Sequence, residues 1–488
     1  MPALSSLIWL FAGGILQLFG YGKWNIRVTA WLVPAFFLRF SRGTEPAMAA
    51  LAIWLVLWAA FSVTLLEVIP VPRPLHLGIT AVLAGFSTLP YLADRLITPG
   101  LQGFASTLVF PMAWVAMELI SARVNPFGTW GAAAYTQYGN LPLMQLVSVT
   151  GIWGPAFLIA WLGSVVNWTW ESGGNWAGVQ GGVLAYVAIV LLVLLYGGAR
   201  LAFAPQDIPT VRVAVIGWPE GMLDGRRMMR VFAADLSGEE KERLRKSFAE
   251  IRHWFLENTR REARAGARIV VWPEANAMLF SEDEAAFLES AGAAAREGKA
   301  YLLMGVVTVK LGEQKPATIK AVLVNPSGEV SYSYVKSRNV PGFEVSIAQP
   351  GDGKIRSADT EGGRLAAAIC YDLDFPDLMR QVGRARADIL LAPSSDWRAI
   401  TWLHPQMAAF RAVENGTALV RPARWGTSLA VDAYGRTLAS MDHFAAQDRV
   451  MVAQVPIQGV RTLYAVLGDA FGWLCAAGLM ASIAMAVF

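Results

Sequence analysis

The sequence contains few cysteines and few histidines. Two cysteines, Cys370 and Cys475, and four histidines occur among 488 residues. Cys475 lies in the apolar stretch at the C-terminal end, so no disulfide framework is expected, and no C-x-x-C motif occurs. The histidines lack the spacing of metal ligands, and the sequence therefore predicts no metal site. The G-x-S-x-G turn of serine hydrolases is also absent.

Charged residues are scarce as well, at 16% of the chain, whereas hydrophobic residues reach 55%. The formal net charge of +4 is small, and no basic stripe indicates a nucleic-acid partner. The apolar excess is concentrated in residues 5–200 and 466–487, while residues 207–460 carry most of the charge. This uneven composition predicts a membrane part joined to an ordinary globular domain.

The apolar segments are long enough to predict membrane crossings, since a bilayer requires about 20 mostly apolar residues. We expect seven crossings before the globular domain and one after it, at 5–20, 27–40, 47–69, 75–93, 103–121, 142–168, 179–198 and 466–487. The second is short and is interrupted by Pro34. The first lacks a basic n-region and a clear A-x-A site, which favours an anchor over a signal peptide. The charges of the loops do not decide the orientation.

Strand-like and helix-like segments alternate from residue 207 onward. Buried strands are predicted at "TVRVAVIGW", "ARIVVWPEA", "YLLMGVVTV", "RLAAAICYD" and "ADILLAPSSDW", with a hairpin at "KAVLVNPSGEVSYSYVKS". A charged helix with one apolar face is predicted over 237–266. The chain is thus predicted to hold a membrane bundle (1–203), an α/β domain (207–460) and a C-terminal transmembrane helix (464–488).

Three polar residues, Glu274, Lys336 and Cys370, fall at the ends of predicted strands. Sites in α/β folds usually lie at such ends. A thiol can attack a carbonyl if a carboxylate takes its proton and an ammonium stabilises the oxyanion. Taken singly, the cysteine is more often a small core residue, and the two charged residues are more often simply exposed. The combination favours covalent acyl transfer through a thioester.

The stretches "VVWPEA", "YVKSRNVPGFE" and "ICYDLDFPDL" resemble the three catalytic stretches of the nitrilase (carbon–nitrogen hydrolase) superfamily. That resemblance implies an αββα sandwich and a Glu-Lys-Cys triad. It makes Glu274 the general base, Lys336 the oxyanion stabiliser and Cys370 the acylated nucleophile.

The predicted membrane part makes the resemblance specific to one family within this superfamily. Residues 114–167, which begin "WVAMELISARVNPFGTWG", and the stretch "WLHPQMAAFRAVENGTALVRPARWGTS" are similar to segments of apolipoprotein N-acyltransferases. This family implies a multi-pass protein of the bacterial inner (cytoplasmic) membrane whose catalytic domain faces the periplasm. The acyl donor would be a phospholipid, usually phosphatidylethanolamine, and the acceptor the N-terminal amine of a diacylglyceryl-cysteine lipoprotein. No organic cofactor is implied.

The same resemblance carries four supporting residues. Glu344 stands where the family has a further essential glutamate, on a loop expected to move over the site. Tyr371 is expected to offer its backbone N–H to the oxyanion, and Trp397 falls near a family tryptophan, although packing under a loop explains it equally well. Asp372 replaces the glutamate that the family usually places there, and "SRNVPGFE" departs from the usual sequence after the lysine. These departures are expected to affect the substrate pockets more than the nucleophile.

Two other functions remain open from the sequence. A membrane-anchored amidase or nitrilase would use the same triad with water as the acceptor, and the nitrilase-like residues around Cys370 favour it. A catalytically silent membrane scaffold would need no triad. The multi-span membrane part argues against the first, and the complete triad argues against the second.

Overall fold

The computed structural model describes residues 4–219, 229–232 and 236–487. The chain divides into two compact units. The first comprises Met1–Ala204 together with Leu467–Phe488, and the second comprises Pro205–Val466.

The first unit is helical. Its α-helices are α1 (Leu4–Gln17), α2 (Arg27–Arg42), α3 (Pro46–Thr64), α4 (Arg73–Ile97), α5 (Val109–Val124), α6 (Leu141–Met144), α7 (Val147–Thr150), α8 (Trp153–Glu171), α9 (Trp176–Ala202) and α16 (Ala470–Val487). Short 3-10 helices lie at Thr98–Gly100, Phe104–Leu108 and Ala133–Gln137. Apolar side chains dominate these helices, because the core of a bilayer contains no water that could form hydrogen bonds with exposed polar groups.

Among the described residues, five helices are long and apolar enough to cross a membrane: Pro46–Thr64, Arg73–Gly100, Phe104–Val124, Trp176–Ala202 and Ala470–Val487. Helices α1 and α2 are shorter than this. The apolar segment predicted over 142–168 is not one straight helix, because Leu141–Thr150 and Trp153–Glu171 meet at an angle of 116°. Gly151 adopts a φ of 65° at the break, a conformation that ends the preceding helix.

Ion pairs join helix ends within this unit. Arg42 at the end of α2 donates to both carboxylate oxygens of Asp94 in α4, at 2.9 and 2.8 Å, and to Glu171 in α8 at 3.0 Å. At the start of the C-terminal helix, Asp469 accepts from Arg123 at 2.6 Å and from the Trp153 indole at 2.7 Å. Charged groups in a membrane protein are stabilised by pairing of this kind.

The second unit contains two mixed β-sheets. Its strands are β1 (Thr210–Ile216), β2 (Ile269–Val271), β3 (Ala277–Phe280), β4 (Tyr301–Val309), β5 (Ala317–Val324), β6 (Val330–Val335), β7 (Arg356–Thr360), β8 (Gly363–Ala367), β9 (Ile389–Leu391), β10 (Ser394–Ser395), β11 (Ala418–Arg421), β12 (Ala423–Arg424), β13 (Thr427–Val431), β14 (Thr437–Asp442) and β15 (Val450–Pro456). Within the described residues, one sheet has the order β15-β1-β2-β4-β5-β6 with β3 beside β4, and the other has the order β14-β13-β11-β9-β8-β7. Strands β10 and β12 form a separate short pair.

Helices accompany these sheets. They are α10 (Gly238–Arg264), α11 (Glu284–Gly298), α12 (Phe343–Ile347), α13 (Pro376–Arg384), α14 (Leu403–Asn415) and α15 (Leu463–Leu467), with 3-10 helices at Arg230–Phe232, Ser281–Asp283, Cys370–Asp374 and Arg398–Ile400. A capping box between Ser237 and Glu240 begins α10. The predicted apolar face of α10 is buried, including Phe248 and Phe255.

One buried hydrophobic cluster contains residues from both sheets, such as Val213 and Leu303 from the first and Leu365 and Ile389 from the second. The sheets therefore pack face to face, as in a sandwich. The predicted fold class, a multi-span helical membrane part plus an α/β nitrilase-like domain, is confirmed.

Candidate active site

The three predicted polar residues lie just beyond strand ends. Glu274 follows β2, Lys336 follows β6, and Cys370 begins the 3-10 helix that comes after β8. All three side chains are buried. The first two belong to one sheet and the third to the other, so face-to-face packing of the sheets brings them together.

Close packing of backbone positions Glu274. A Cβ atom at Gly305 in β4 would overlap the carbonyl oxygen of Pro273 and lie 2.7 Å from the Cα of Glu274. The Glu274 N–H also donates to the carbonyl of Ser394 at 3.4 Å. Glycine in the middle of a strand often marks such a close approach of another backbone.

Cys370 stands on a tight turn. Its φ of 47° lies in the left-handed region, which is uncommon for a residue with a side chain and is found at functional sites. Its N–H donates to the carbonyl of Pro393 at 2.8 Å, and its thiol points to the carbonyl of Ser395 at 3.5 Å. The segment that contains Pro393 and Ser395 thus holds both the backbone and the sulfur of the cysteine.

Lys336 lies between two carboxylates. Its Nζ is 2.7 Å from Oε1 of Glu274 and lies 2.9 and 2.7 Å from the two carboxylate oxygens of Glu344. The lysine side chain is fully buried. Burial opposes its charge, but the two carboxylates outweigh this, so the pKa of Lys336 is raised and the residue remains an ammonium.

The Glu274 carboxylate and the Cys370 thiol are close enough for each to change the pKa of the other, and the second oxygen of Glu274 is buried without a hydrogen-bond partner. Burial raises the pKa of the Glu274 carboxyl, and the charge of Glu344 adds to the rise, while Lys336 and the thiol oppose it. Burial, followed by the charge of Glu274, raises the pKa of the Cys370 thiol. The sulfur therefore rests as a thiol near a carboxylate of increased basicity, which is the arrangement that general-base activation needs.

Asp372 connects the cysteine turn to the lysine loop. One of its carboxylate oxygens accepts from the N–H groups of Ser337 and Arg338, at 3.1 and 2.8 Å. The other accepts from the N–H of Ile369 at 3.0 Å and from the Tyr334 hydroxyl at 2.8 Å. Burial raises the pKa of Asp372 to about 6. This residue therefore orders the segments on either side of the triad.

The three other predicted residues, Glu344, Tyr371 and Trp397, differ in their contacts and burial. Glu344, at the start of α12, contacts Lys336 directly and also accepts from the N–H of Val340 at 2.8 Å. Tyr371 is buried and its ring meets that of Phe375 edge-on, with centroids 5.3 Å apart. Trp397 is half-buried and precedes the 3-10 helix Arg398–Ile400.

Sequence reasoning missed a second buried cluster beside the thiol. Arg421 in β11 donates to both oxygens of Asp396, at 3.0 and 2.7 Å. His404 in α14 places Nδ1 2.8 Å from Asp396 Oδ1, and its Nε2 lies 3.4 Å from Asp374. Burial would lower the pKa of His404, but Asp374 and Asp396 outweigh it, so the pKa is raised. The available signal was weak: an arginine in a strand and a histidine that begins a helix.

The same cluster includes the one combination of metal-ligand types found among the described residues, Cys370, Asp396 and His404, whose ligand atoms lie within 4.8 Å of one another. Nη2 of Arg421 is 2.7 Å from Asp396 Oδ1 and 2.8 Å from His404 Nδ1. A guanidinium thus provides the positive charge beside these groups, and we assign no metal to them.

The chain is similar to known proteins over both of its parts. Residues 242–465 match the family model described as carbon-nitrogen hydrolase, and residues 13–165 match that of the apolipoprotein N-acyltransferase N-terminal domain. The apolipoprotein N-acyltransferase of Geobacter metallireducens is 29% identical over 447 residues, which is 85% of this chain and 81% of the relative. That of Pseudomonas aeruginosa is 26% identical over 433 residues, covering 80% and 76%. An amidase from Nesterenkonia sp. has a similar structure, with 19% identity and a TM-score of 0.39 over 52% of this chain and 94% of that one.

Proposed function

Because the chain belongs to the apolipoprotein N-acyltransferase family of the carbon–nitrogen hydrolase superfamily, we propose that it transfers a fatty acyl chain from a phospholipid to the N-terminal amine of a lipoprotein. The transfer proceeds through a thioester on Cys370. The protein is a membrane enzyme with lipid substrates. The observation that carries the proposal is the Lys336 ammonium 2.7 Å from Glu274, whose other carboxylate oxygen is buried without a partner near the Cys370 thiol.

The first half-reaction loads the enzyme. Glu274 takes the thiol proton while the sulfur attacks the ester carbonyl carbon of the phospholipid. The oxyanion that forms is stabilised by the Lys336 ammonium and by the N–H of Tyr371. The carbon–oxygen bond to the glycerol then breaks, and Glu274 returns the proton to the departing lysophospholipid.

The second half-reaction transfers the acyl chain to the acceptor. The N-terminal amine attacks the thioester carbonyl, and Glu274 takes a proton from the nitrogen. The carbon–sulfur bond breaks, the amide is formed, and the proton returns to the sulfur. Lys336 stabilises the oxyanion in both steps, so its charge must persist, which its two carboxylate neighbours favour.

We assign supporting functions to the four other predicted residues. Glu344 holds Lys336 in place and fixes α12 over the site. Asp372 orders the turns that carry the lysine and the cysteine. Tyr371 supplies its backbone N–H, and Trp397 packs beside the segment that contacts the thiol.

The finer identity of the substrates and of the membrane also forms part of the proposal. The donor is phosphatidylethanolamine, and the acceptor is the diacylglyceryl-cysteine at the start of a lipoprotein. The enzyme lies in the bacterial inner membrane with its α/β unit on the periplasmic side. The family resemblance of residues 114–167 supports each of these assignments.

Purified enzyme incubated with fluorescent phospholipid, with and without a diacylated lipopeptide, tests the proposal. We expect the fluorescent acyl chain to appear on the lipopeptide and Cys370→Ala to abolish transfer. Release of free fatty acid at the same rate with and without the lipopeptide would indicate the amidase-like hydrolase instead.

A further inference from the structure

Four charged or titratable residues form a fully buried cluster next to Cys370: Asp374, Asp396, His404 and Arg421. The bidentate contact of Arg421 with Asp396 leaves both oxygens of that carboxylate bound. His404 lies between Asp396 and Asp374. Buried charges are costly unless they are paired, so such a cluster requires a reason beyond packing.

The cluster is linked to the cysteine through the chain that contains Asp396. That chain, residues 393–396, accepts the Cys370 N–H at Pro393 and the thiol contact at Ser395. It is fixed by pairing with β12, where the Asp396 N–H donates to the carbonyl of Arg424 at 2.9 Å. A Cβ atom at Gly426 would lie 2.8 Å from the Cβ of Asp396, so the backbone of that turn packs directly on the aspartate.

The cluster also changes the charge around the sulfur. Asp396, like Glu274, opposes ionisation of the Cys370 thiol. Arg421, like Lys336, favours it. In a buried site these effects are large, because little water screens them. Several elements contribute charged groups around the thiol. They include Glu274 after β2, Lys336 after β6, Glu344 in α12, Asp372 and Asp374 in the 3-10 helix, Asp396 after β10, His404 in α14, Arg421 in β11 and Arg424 in β12.

We propose that Arg421, Asp396 and His404 form a positioning network. This network fixes the segment that contacts Cys370 and determines how readily the Cys370 thiol ionises. The inference rests on the proposed function only in taking Cys370 as the nucleophile. The three residues act through Asp396 and the chain around it, and they do not touch the substrate. Loss of the arginine and loss of the aspartate should therefore change the ionisation of the thiol in opposite directions.

The test measures the rate of iodoacetamide alkylation of Cys370 against pH. The full-length Cys475→Ala protein is the background, because Cys475 is the only other cysteine in the chain. Arg421→Met is expected to raise the pH midpoint of alkylation, and Asp396→Asn to lower it, each by about one unit or more. Arg421→Lys keeps the charge and should keep the midpoint. Arg436→Met is the matched control, since it removes an arginine that is paired with Asp432 and 42% exposed.

His404 requires a separate comparison. His404→Asn can still donate to Asp396 from the position of Nδ1 and should retain the rate of thioester formation. His404→Leu removes the donor and should lower that rate about tenfold, which corresponds to a rise of about 1.4 kcal/mol in the activation free energy. Equal rates for the two variants would exclude His404 from the network.

Shifts of the same sign in Arg421→Met and Asp396→Asn, or no shift in either, would overturn the proposal. If Arg421→Met does not fold, the test rests on two other results: a lower pH midpoint of alkylation in Asp396→Asn and an unchanged midpoint in Arg421→Lys. Alkylation needs no acyl donor. Opposite shifts in a protein that forms no acyl thioester would therefore refute the proposed function and leave the network standing.

Discussion

The central residue of the site is Lys336, a buried ammonium shared by two carboxylates. Both Glu274 and Glu344 lie within 2.7 Å of its nitrogen. Removal of this cation would leave the buried Glu274 carboxylate and the half-buried Glu344 carboxylate without their shared positive partner. Substitution of Lys336 should therefore lower both the stability of the fold and the rate of thioester formation.

Lys336→Met is expected to lower the free energy of unfolding by about 3 to 5 kcal/mol, the usual cost of breaking a buried ion pair. The rate of thioester formation should fall by about 100-fold or more, because one oxyanion donor is lost. Thermal unfolding and hydroxylamine-sensitive acyl incorporation measure the two effects. Lys310→Met is the matched control: Lys310 is 68% exposed, pairs with Glu313 at 2.7 Å, and its loss should cost about 1 kcal/mol or less. Equal effects of the two substitutions would contradict this account of Lys336.

The pH dependence of acylation should report Glu274. A general base must be ionised, so the rate of thioester formation should fall as the pH drops through the pKa of Glu274, which burial raises above its ordinary value of 4.5. Because the charge of Glu344 contributes to that rise, Glu344→Gln should move the midpoint to lower pH. Single-turnover acylation between pH 4 and pH 9 would measure both. A profile that depends only on an ionisation near pH 9 would instead indicate a free thiolate without a base.

Prediction from the sequence succeeded for residues with a distinctive local context and failed for the others. Glu274, Lys336 and Cys370 each follow a predicted strand, and the alternation of side chains together with the turn residues reveals such positions without a structure. Asp396, His404 and Arg421 were missed because their significance lies in burial and mutual pairing across three separate elements. The connecting function of Asp372 was missed for the same reason, since its partners are backbone N–H groups of another loop. The catalytic assignments themselves remain predictions.

At the scale of elements, strand ends and their supporting turns determine the site geometry. Several strands were predicted, including the hairpin from β5 to β6 and the end of β2 just before Pro273, whereas β3, β7 and β14 were not. The break between α7 and α8 was not predicted, because an apolar run has the same composition whether straight or bent. Gly305 carried a usable signal, a glycine inside an otherwise bulky buried strand.

Gly305→Ala should impair catalysis through the backbone alone. The added methyl group would overlap the carbonyl of Pro273 and displace Glu274 from the thiol. A displacement of about 1 Å can cost about 100-fold in rate. Acylation rate and thermal unfolding should be compared with Gly238→Ala, a position where a Cβ meets no atom within 4 Å. Normal acylation in a folded Gly305→Ala protein would show that this close approach does not position the base.

At the scale of the whole molecule, a membrane part and an α/β unit occur in one chain. The predicted family, the acyltransferase function and the membrane association are confirmed, and the acyltransferase interpretation is favoured over the hydrolase. Orientation could not be predicted, because basic residues occur in loops on both predicted sides of the membrane. An odd number of crossings before the α/β unit would place it opposite the N-terminus, and its proposed periplasmic side rests on the family resemblance.

Cysteine labelling can test that orientation in a Cys370→Ser, Cys475→Ala background. Glu361→Cys introduces an exposed thiol in the turn between β7 and β8, and Gly43→Cys does so between α2 and α3. A membrane-impermeant maleimide should label the first in intact spheroplasts and the second only after lysis. The reverse pattern would place the α/β unit in the cytoplasm.

The central claim is that Cys370 carries the acyl chain, and mass spectrometry of the purified full-length protein after incubation with phospholipid tests it most directly. We expect the peptide containing Cys370 to gain the mass of one fatty acyl group, and expect hydroxylamine or a lipopeptide acceptor to remove it. An acyl group on another residue, or acyl transfer by the Cys370→Ala protein at the wild-type rate, would contradict the account.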